Sequence, residues 1–145
     1  MFENKVAYIT GGTKGIGFGI AKILLQNGIN VAITGRKKAD VDYAVSELSP
    51  DSSKILGIIS DVRNFEEEVQ AVSAIKNHFG RLDYVIANAG LGVFKSVDEL
   101  SVEDWNDMIG TNLSGLFYTL KASMEELKKS EGDFISISSL AGTNF

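Results

Sequence analysis

Cysteine is absent from the 145 residues, so neither a disulfide framework nor a thiolate metal site can be built. Histidine occurs once, and His78 alone cannot anchor a metal cluster, so no metal is expected. Proline also occurs once, as Pro50, just past the second of the helical stretches described below. Long apolar runs are missing, and none approaches the roughly 18–20 residues of a membrane span. The opening Met1-Phe2-Glu3-Asn4-Lys5 leads straight into a strand-like run and lacks the pattern of a signal peptide. Positive charge is the minority: 14 Lys and Arg against 19 Asp and Glu give a net charge of −5. Nucleic-acid binding needs a concentrated basic face, which this balance argues against. The expectation is one packed, soluble, cytoplasmic domain with no nucleic-acid and no membrane partner.

What is present alternates. Short β-branched runs at Val6–Thr10, Asn30–Thr34, Ile55–Ser60, Tyr84–Ala87 and Phe134–Ser138 are apolar almost throughout, as strands covered on both faces are. Helical stretches lie between them at Ile16–Asn27, Lys38–Leu48, Glu66–Phe79 and Val102–Lys129. Gly28, Gly80 and Gly132 each follow a helix, where glycine supplies the left-handed closing conformation. Ser101 with Asp104 three residues on resembles a capping box, and Glu66, Glu67 and Glu68 crowd a first turn where the helix dipole favours negative charge. Strand–helix alternation predicts an α/β fold: a parallel, doubly wound sheet with right-handed crossovers and no second domain.

Between the first strand and first helix runs Thr10-Gly11-Gly12-Thr13-Lys14-Gly15-Ile16-Gly17. In that setting it reads as a dinucleotide-phosphate loop. Gly11 permits the sharp turn, Gly15 lets the backbone approach a diphosphate, Gly17 allows tight helix–sheet contact, and the helix N-terminus faces the anion. Glycines alone would mark any tight turn; the flanking strand and helix carry the functional meaning.

The glycine spacing resembles the short-chain dehydrogenase/reductase family, and later motifs converge on it in order. Asp61-Val62 looks like the family's adenine-contacting pair, and Asn88-Ala89-Gly90 like its structural and cofactor-site motif. Asn112 matches the asparagine of the catalytic tetrad. Ile137-Ser138-Ser139-Leu140-Ala141-Gly142 matches the serine segment, and alignment on Gly142 makes Ser139 the catalytic position. Read singly, Asp61 is also a loop cap, Asn88 a turn-former, Asn112 a helix kink beside Gly110, and the serines ordinary strand-end residues. The resemblance implies a Rossmann-like sheet in the order 3-2-1-4-5, incomplete against the family's seven strands, with the last strand left as an apolar edge.

It also implies a nicotinamide cofactor. Enzymes of this kind that use NAD place an acid at the end of strand two to hold the ribose diol. Here Thr34-Gly35-Arg36-Lys37-Lys38 has no acid before Asp40. Arg36 can grip a 2′-phosphate with its planar fork, with Lys37 and Lys14 adding charge, so NADP(H) is expected over NAD(H). The implied reaction moves hydride between the nicotinamide and a small carbonyl or alcohol substrate. A tyrosine exchanges the proton, aided by a lysine in a Tyr-x-x-x-Lys motif; serine holds the substrate oxygen and asparagine positions a water. Tyr8, Tyr43, Tyr84 and Tyr118 are followed four residues on by Gly12, Glu47, Asn88 and Ala122, so none supplies that motif. The expectation is a fragment that is inactive alone; the alternative is a non-catalytic NADP(H)-binding module or inactive subunit. Trp105, Met108, Ile109, Leu113, Leu116, Phe117, Leu120 and Met124 recur at helical spacing along Val102–Lys129. In the family this helix packs against a partner subunit, which implies a homo-oligomer.

Overall fold

The computed structural model describes residues 4–49, 51 and 53–139. Pro50, Leu140, Ala141 and Gly142 lie outside that range. Five strands, β1 (Val6–Ile9), β2 (Asn30–Gly35), β3 (Ile55–Ile59), β4 (Tyr84–Ala87) and β5 (Asp133–Ser136), form one sheet. Its order is β3-β2-β1-β4-β5, and every neighbouring pair is parallel. The doubly wound α/β fold expected from the alternation is what the chain adopts.

Helices α1 (Gly15–Gln26), α2 (Lys38–Leu48), α3 (Phe65–Phe79), α4 (Val102–Ile109) and α5 (Gly115–Ser130) connect the strands. Alternate strand residues feed two cores. Ala7, Ile9, Val31, Ile33 and Ile86 meet Ala21 of α1 and Ala44 of α2 on one face. Val6, Tyr8, Ala32 and Val85 meet Ala71, Val72 and Ile75 of α3 and Leu127 of α5 on the other. This division follows from the two-residue period of a strand and explains why the central runs carry no polar alternation.

Helix ends match their signals with two exceptions. Gly28 and Gly80 adopt φ of 81°, and Ser101 and Asp104 close the anticipated capping box. At the third site, the left-handed residue is Glu131 (φ 52°), not Gly132. Gly132 is glycine for another reason: a Cβ there would sit 2.1 Å from the Asp83 carbonyl oxygen. The acidic first turn of α3 is the other exception. Asn64 is its N-cap, accepting from the Glu66 and Glu67 amides, while Glu68 turns inward and is fully buried. A carboxyl there is not answering the helix dipole from solvent.

The expected single helix Val102–Lys129 is two helices joined by a π-helical turn at Gly110–Ser114. Gly110 and Asn112 are poor helix formers, and a wider turn at that point redirects the Asn112 side chain off the helix. Of the apolar stripe, Trp105, Leu113 and Phe117 are more than half exposed, whereas Met108, Leu116 and Leu120 are half-buried.

Candidate functional site

The glycine loop leaves β1 at the carboxyl end of the sheet, where ligands of open α/β folds bind. Thr10 donates its amide to Ile86 O, and Gly12 donates to Thr34 O, so the loop is laced to both neighbouring strands. Gly15 has φ of +59°, and a Cβ there would find no atom within 4 Å, so its backbone faces open space. Lys14 is the N-cap of α1, and among the described residues no side chain caps the helix. Its first N–H groups are therefore left to an outside acceptor. Gly17 serves the loop rather than the sheet. Its Cβ would lie 2.5 Å from Asn88 Nδ2 and 2.7 Å from Gly11 O.

Asn88 holds this arrangement from β4. Its Nδ2 donates to Thr10 O at 3.0 Å and Gly11 O at 3.1 Å, while its own amide and that of Ala89 both donate to Thr10 Oγ1. The turn-forming role and the site role are thus one. Thr10 went unmarked in the sequence because a threonine ending a strand has no distinctive pattern.

A cleft of about 410 Å³ opens along this edge. Gly11, Thr13, Lys14 and Gly15 form one wall, Arg36, Lys37 and Asp40 the rim, and Asp61, Val62, Asn88, Ala89 and Gly90 the opposite side. Thr13 packs over Gly35, whose Cβ would come within 2.6 Å of its methyl group. Lys14, Arg36 and Lys37 are exposed. Ile16 is 65 % exposed and does not line the cleft.

Asp61 is engaged by a residue that sequence reasoning passed over. Arg63 binds its carboxylate through Nε (3.0 and 3.1 Å) and NH2 (2.7 Å), and reaches Asp107 of α4 through NH1 at 2.6 Å. That fork holds the Asp61 carboxyl below the usual carboxylate range. An Asp-x-Arg spacing was the available signal, though Asp107 is 44 residues from Arg63.

The cleft's inner end adjoins a smaller hollow of about 80 Å³ that includes Thr10, Val62, Asn88, Gly90, Asn112 and Thr119 in its walls. Asn112 points back to the chain. Its Oδ1 accepts from the Leu91 amide and its Nδ2 donates to the Leu91 carbonyl, both at 2.8 Å. Ser139 is exposed, three residues past β5, and lines neither hollow. Among the described residues, no group of three or more ligating side chains is placed to hold a metal.

The short chain dehydrogenase family model matches residues 5–145. The chain belongs to the short-chain dehydrogenase family. An uncharacterized oxidoreductase of Staphylococcus aureus strain MW2 is 35% identical over 143 residues, covering 98% of this chain and 61% of that protein. One from Staphylococcus saprophyticus is 33% identical over 142 residues, covering 97% of this chain and 61% of its own length. The chain therefore spans about three-fifths of the curated relatives it matches. Among solved structures, a Brucella melitensis short-chain dehydrogenase/reductase superposes with a TM-score of 0.92 at 29% identity, covering 98% of this chain and 60% of that one. An alcohol dehydrogenase of Thermococcus sibiricus, complexed with 5-hydroxy-NADP, gives 0.91 at 34% identity, covering 97% and 60%. Short-chain dehydrogenases are oxidoreductases that bind nicotinamide cofactors. No helix among the described residues is long and apolar enough to cross a membrane.

Proposed function

We propose that the cleft holds NADP(H), and that the whole protein is an NADP(H)-dependent oxidoreductase acting on a small carbonyl or alcohol substrate. One observation carries this reading: an uncapped helix N-terminus behind an open Gly15, in a cleft that Lys14, Arg36 and Lys37 all line. The donor set fits the cofactor. Backbone N–H groups of α1 receive the diphosphate, and the three cations receive a 2′-phosphate. Asp61 and Val62 border the adenine, and Asn88, Ala89 and Gly90 border the nicotinamide end. The Thermococcus relative, with its NADP derivative, supports the phosphorylated form of the cofactor.

A nicotinamide held there would supply or accept the hydride. Asn88 and Thr10 keep the loop shaped to bind and orient it, and Val62 lines both hollows. The family resemblance assigns the substrate oxygen to Ser139, which lies outside the lining of both hollows. Asn112 gives its side chain to Leu91, so its contribution to a proton relay falls to its backbone. We place the protein in the cytoplasm and assign Val102–Lys129 to a contact between copies, on the exposure of Trp105, Leu113 and Phe117.

For these 145 residues by themselves the second reading, cofactor binding without turnover, is favoured by the lack of any Tyr-x-x-x-Lys. Arg36→Asp tests the assignment common to both. Hydrogen bonds between charged groups contribute about 1.5–3 kcal/mol, so the variant is expected to weaken NADPH binding by about ten- to a hundredfold. NADH binding should change far less. Equal losses for both cofactors, measured by fluorescence titration, would reject the 2′-phosphate contact.

A further inference from the structure

Beneath the cleft lies a buried polar cluster that the proposed chemistry does not use. Glu68 of α3 is 0% exposed. Its Oε1 lies 2.8 Å from Ser60 Oγ and 3.1 Å from the Tyr8 hydroxyl; its Oε2 lies 2.9 Å from both the Tyr8 hydroxyl and Thr119 Oγ1. Thr119 Oγ1 is in turn 2.9 Å from Gly115 O, at the start of α5. Two members of the cluster also face ligand space: Ser60 lines the larger cleft and Thr119 the smaller hollow.

The hydrogens can be counted. Tyr8, Ser60 and Thr119 each bring one hydroxyl hydrogen. If Glu68 is a carboxylate it needs all three, and the Thr119–Gly115 contact is left as two acceptor oxygens facing each other. If Glu68 carries a proton, it donates to Thr119 and Thr119 donates to Gly115 O, while Tyr8 and Ser60 still donate to Glu68. Four hydrogens then serve the five contacts, with that of Tyr8 shared between the two Glu68 oxygens. The surroundings agree. Tyr8 approaches Glu68 from β1, with Thr34 of β2 beside Tyr8, Ser60 from just past β3 and Thr119 from α5, none of them a cation. The charged neighbour acting on Glu68 from its own helix, Glu67, is an anion. Among the described residues, no cation forms an ion pair with it. Burial, first, and Glu67 push its acid strength down, outweighing the three hydroxyls. A buried charge without a counter-ion is the costlier state.

We infer that Glu68 is a neutral carboxylic acid that donates a hydrogen bond to Thr119 and acts as a positioning residue, fixing Ser60 in the wall of the cofactor cleft and Thr119 in that of the adjoining hollow. The positioning role rests on the NADP(H) reading of the cleft; the protonation state does not. Ionisation of Glu68 turns Thr119 away from Gly115 O and disturbs the cleft floor from below.

The experiment uses the full-length protein with glutamate carboxyls isotope-labelled for NMR, alongside Glu68→Gln, whose amide can donate to Thr119 and accept from Ser60. One carboxyl resonance, absent in Glu68→Gln, is expected to report a protonated acid at neutral pH while exposed glutamates are ionised. A Glu68 resonance that titrates with the exposed glutamates overturns the assignment. NADPH titrations across the same pH range then read the positioning role. The unaltered protein is expected to lose several-fold in affinity as the Glu68 resonance moves, and Glu68→Gln to keep its neutral-pH affinity with no such step. An unaltered protein whose affinity is indifferent to that ionisation overturns the positioning role. Failure to bind NADPH at any pH would instead sink the functional reading, with the protonation result standing on its own.

Discussion

β1 and β5 are both short, parallel and rich in apolar residues, yet they live in different surroundings. Val6, Ala7, Tyr8 and Ile9 are each 0% exposed, between β2 and β4 and under helices on both faces. On β5, Ile135 remains 47% exposed and only Phe134 packs against a core. Composition tells which residues can enter a sheet; neighbours decide which are covered. An apolar strand at a sheet edge, with its outer hydrogen-bonding groups unpaired, is a template for further pairing.

The contrast can be tested. Ile9→Ala removes a side chain with no exposed surface and is expected to destabilise the protein by about 2–5 kcal/mol, read from denaturant unfolding. A loss below 1 kcal/mol would mean that the central strands are not the tightly packed part. Next in size is Asp83, a buried carboxylate at the entry to β4. It accepts from the Val6 amide at 3.0 Å and pairs with Lys5 at 2.9 Å and Arg81 at 2.5 Å. Burial alone would raise its titration, but the bonds to Arg81, Lys5 and Val6 outweigh it and hold the carboxyl below its ordinary range. A lowered value means stability that is present above the unfolded value of about 3.9 and lost as pH falls through the folded one. Asp83→Asn should therefore cost about 1–3 kcal/mol at neutral pH, and the gap from the unaltered protein should close in acid. A gap independent of pH would assign the loss to packing. Ile135→Thr is the smallest, expected within about 0.5 kcal/mol, as for an exposed site. A loss near that of Ile9→Ala would sharpen the picture differently, by showing β5 covered in the whole protein.

These same two strands mark what could be read from sequence. Where residues serve local geometry, the reading held: the five strands, the sharp turn at Gly11, the Ser101 box and the helix-closing Gly28 and Gly80 follow from period and turn chemistry. The misread positions were those governed by contacts distant in sequence. Glu68 sits beside two surface acids and looks like one of them until Tyr8, 60 residues away, is brought against it. Gly132 looks like a helix closer, but the Asp83 backbone dictates its identity. The π turn was signalled only by the kink read at Asn112 beside Gly110, because Val102–Lys129 keeps a helical apolar rhythm across it. Within the site, the loop, the cationic rim and Asn88 were legible because each lies next to a strand end. The Arg63 link to Asp107 was not, since nothing local ties those two residues.

The double bond between Asn112 and Leu91 has a mechanical corollary. One amide plane grips both the donor and the acceptor of a single residue in the loop after β4, so the two segments cannot slide past each other without losing both bonds together. Anything that levers the 91–97 loop outward must twist the wide turn at Gly110–Ser114 as well, and that turn is continuous with the helices on either side.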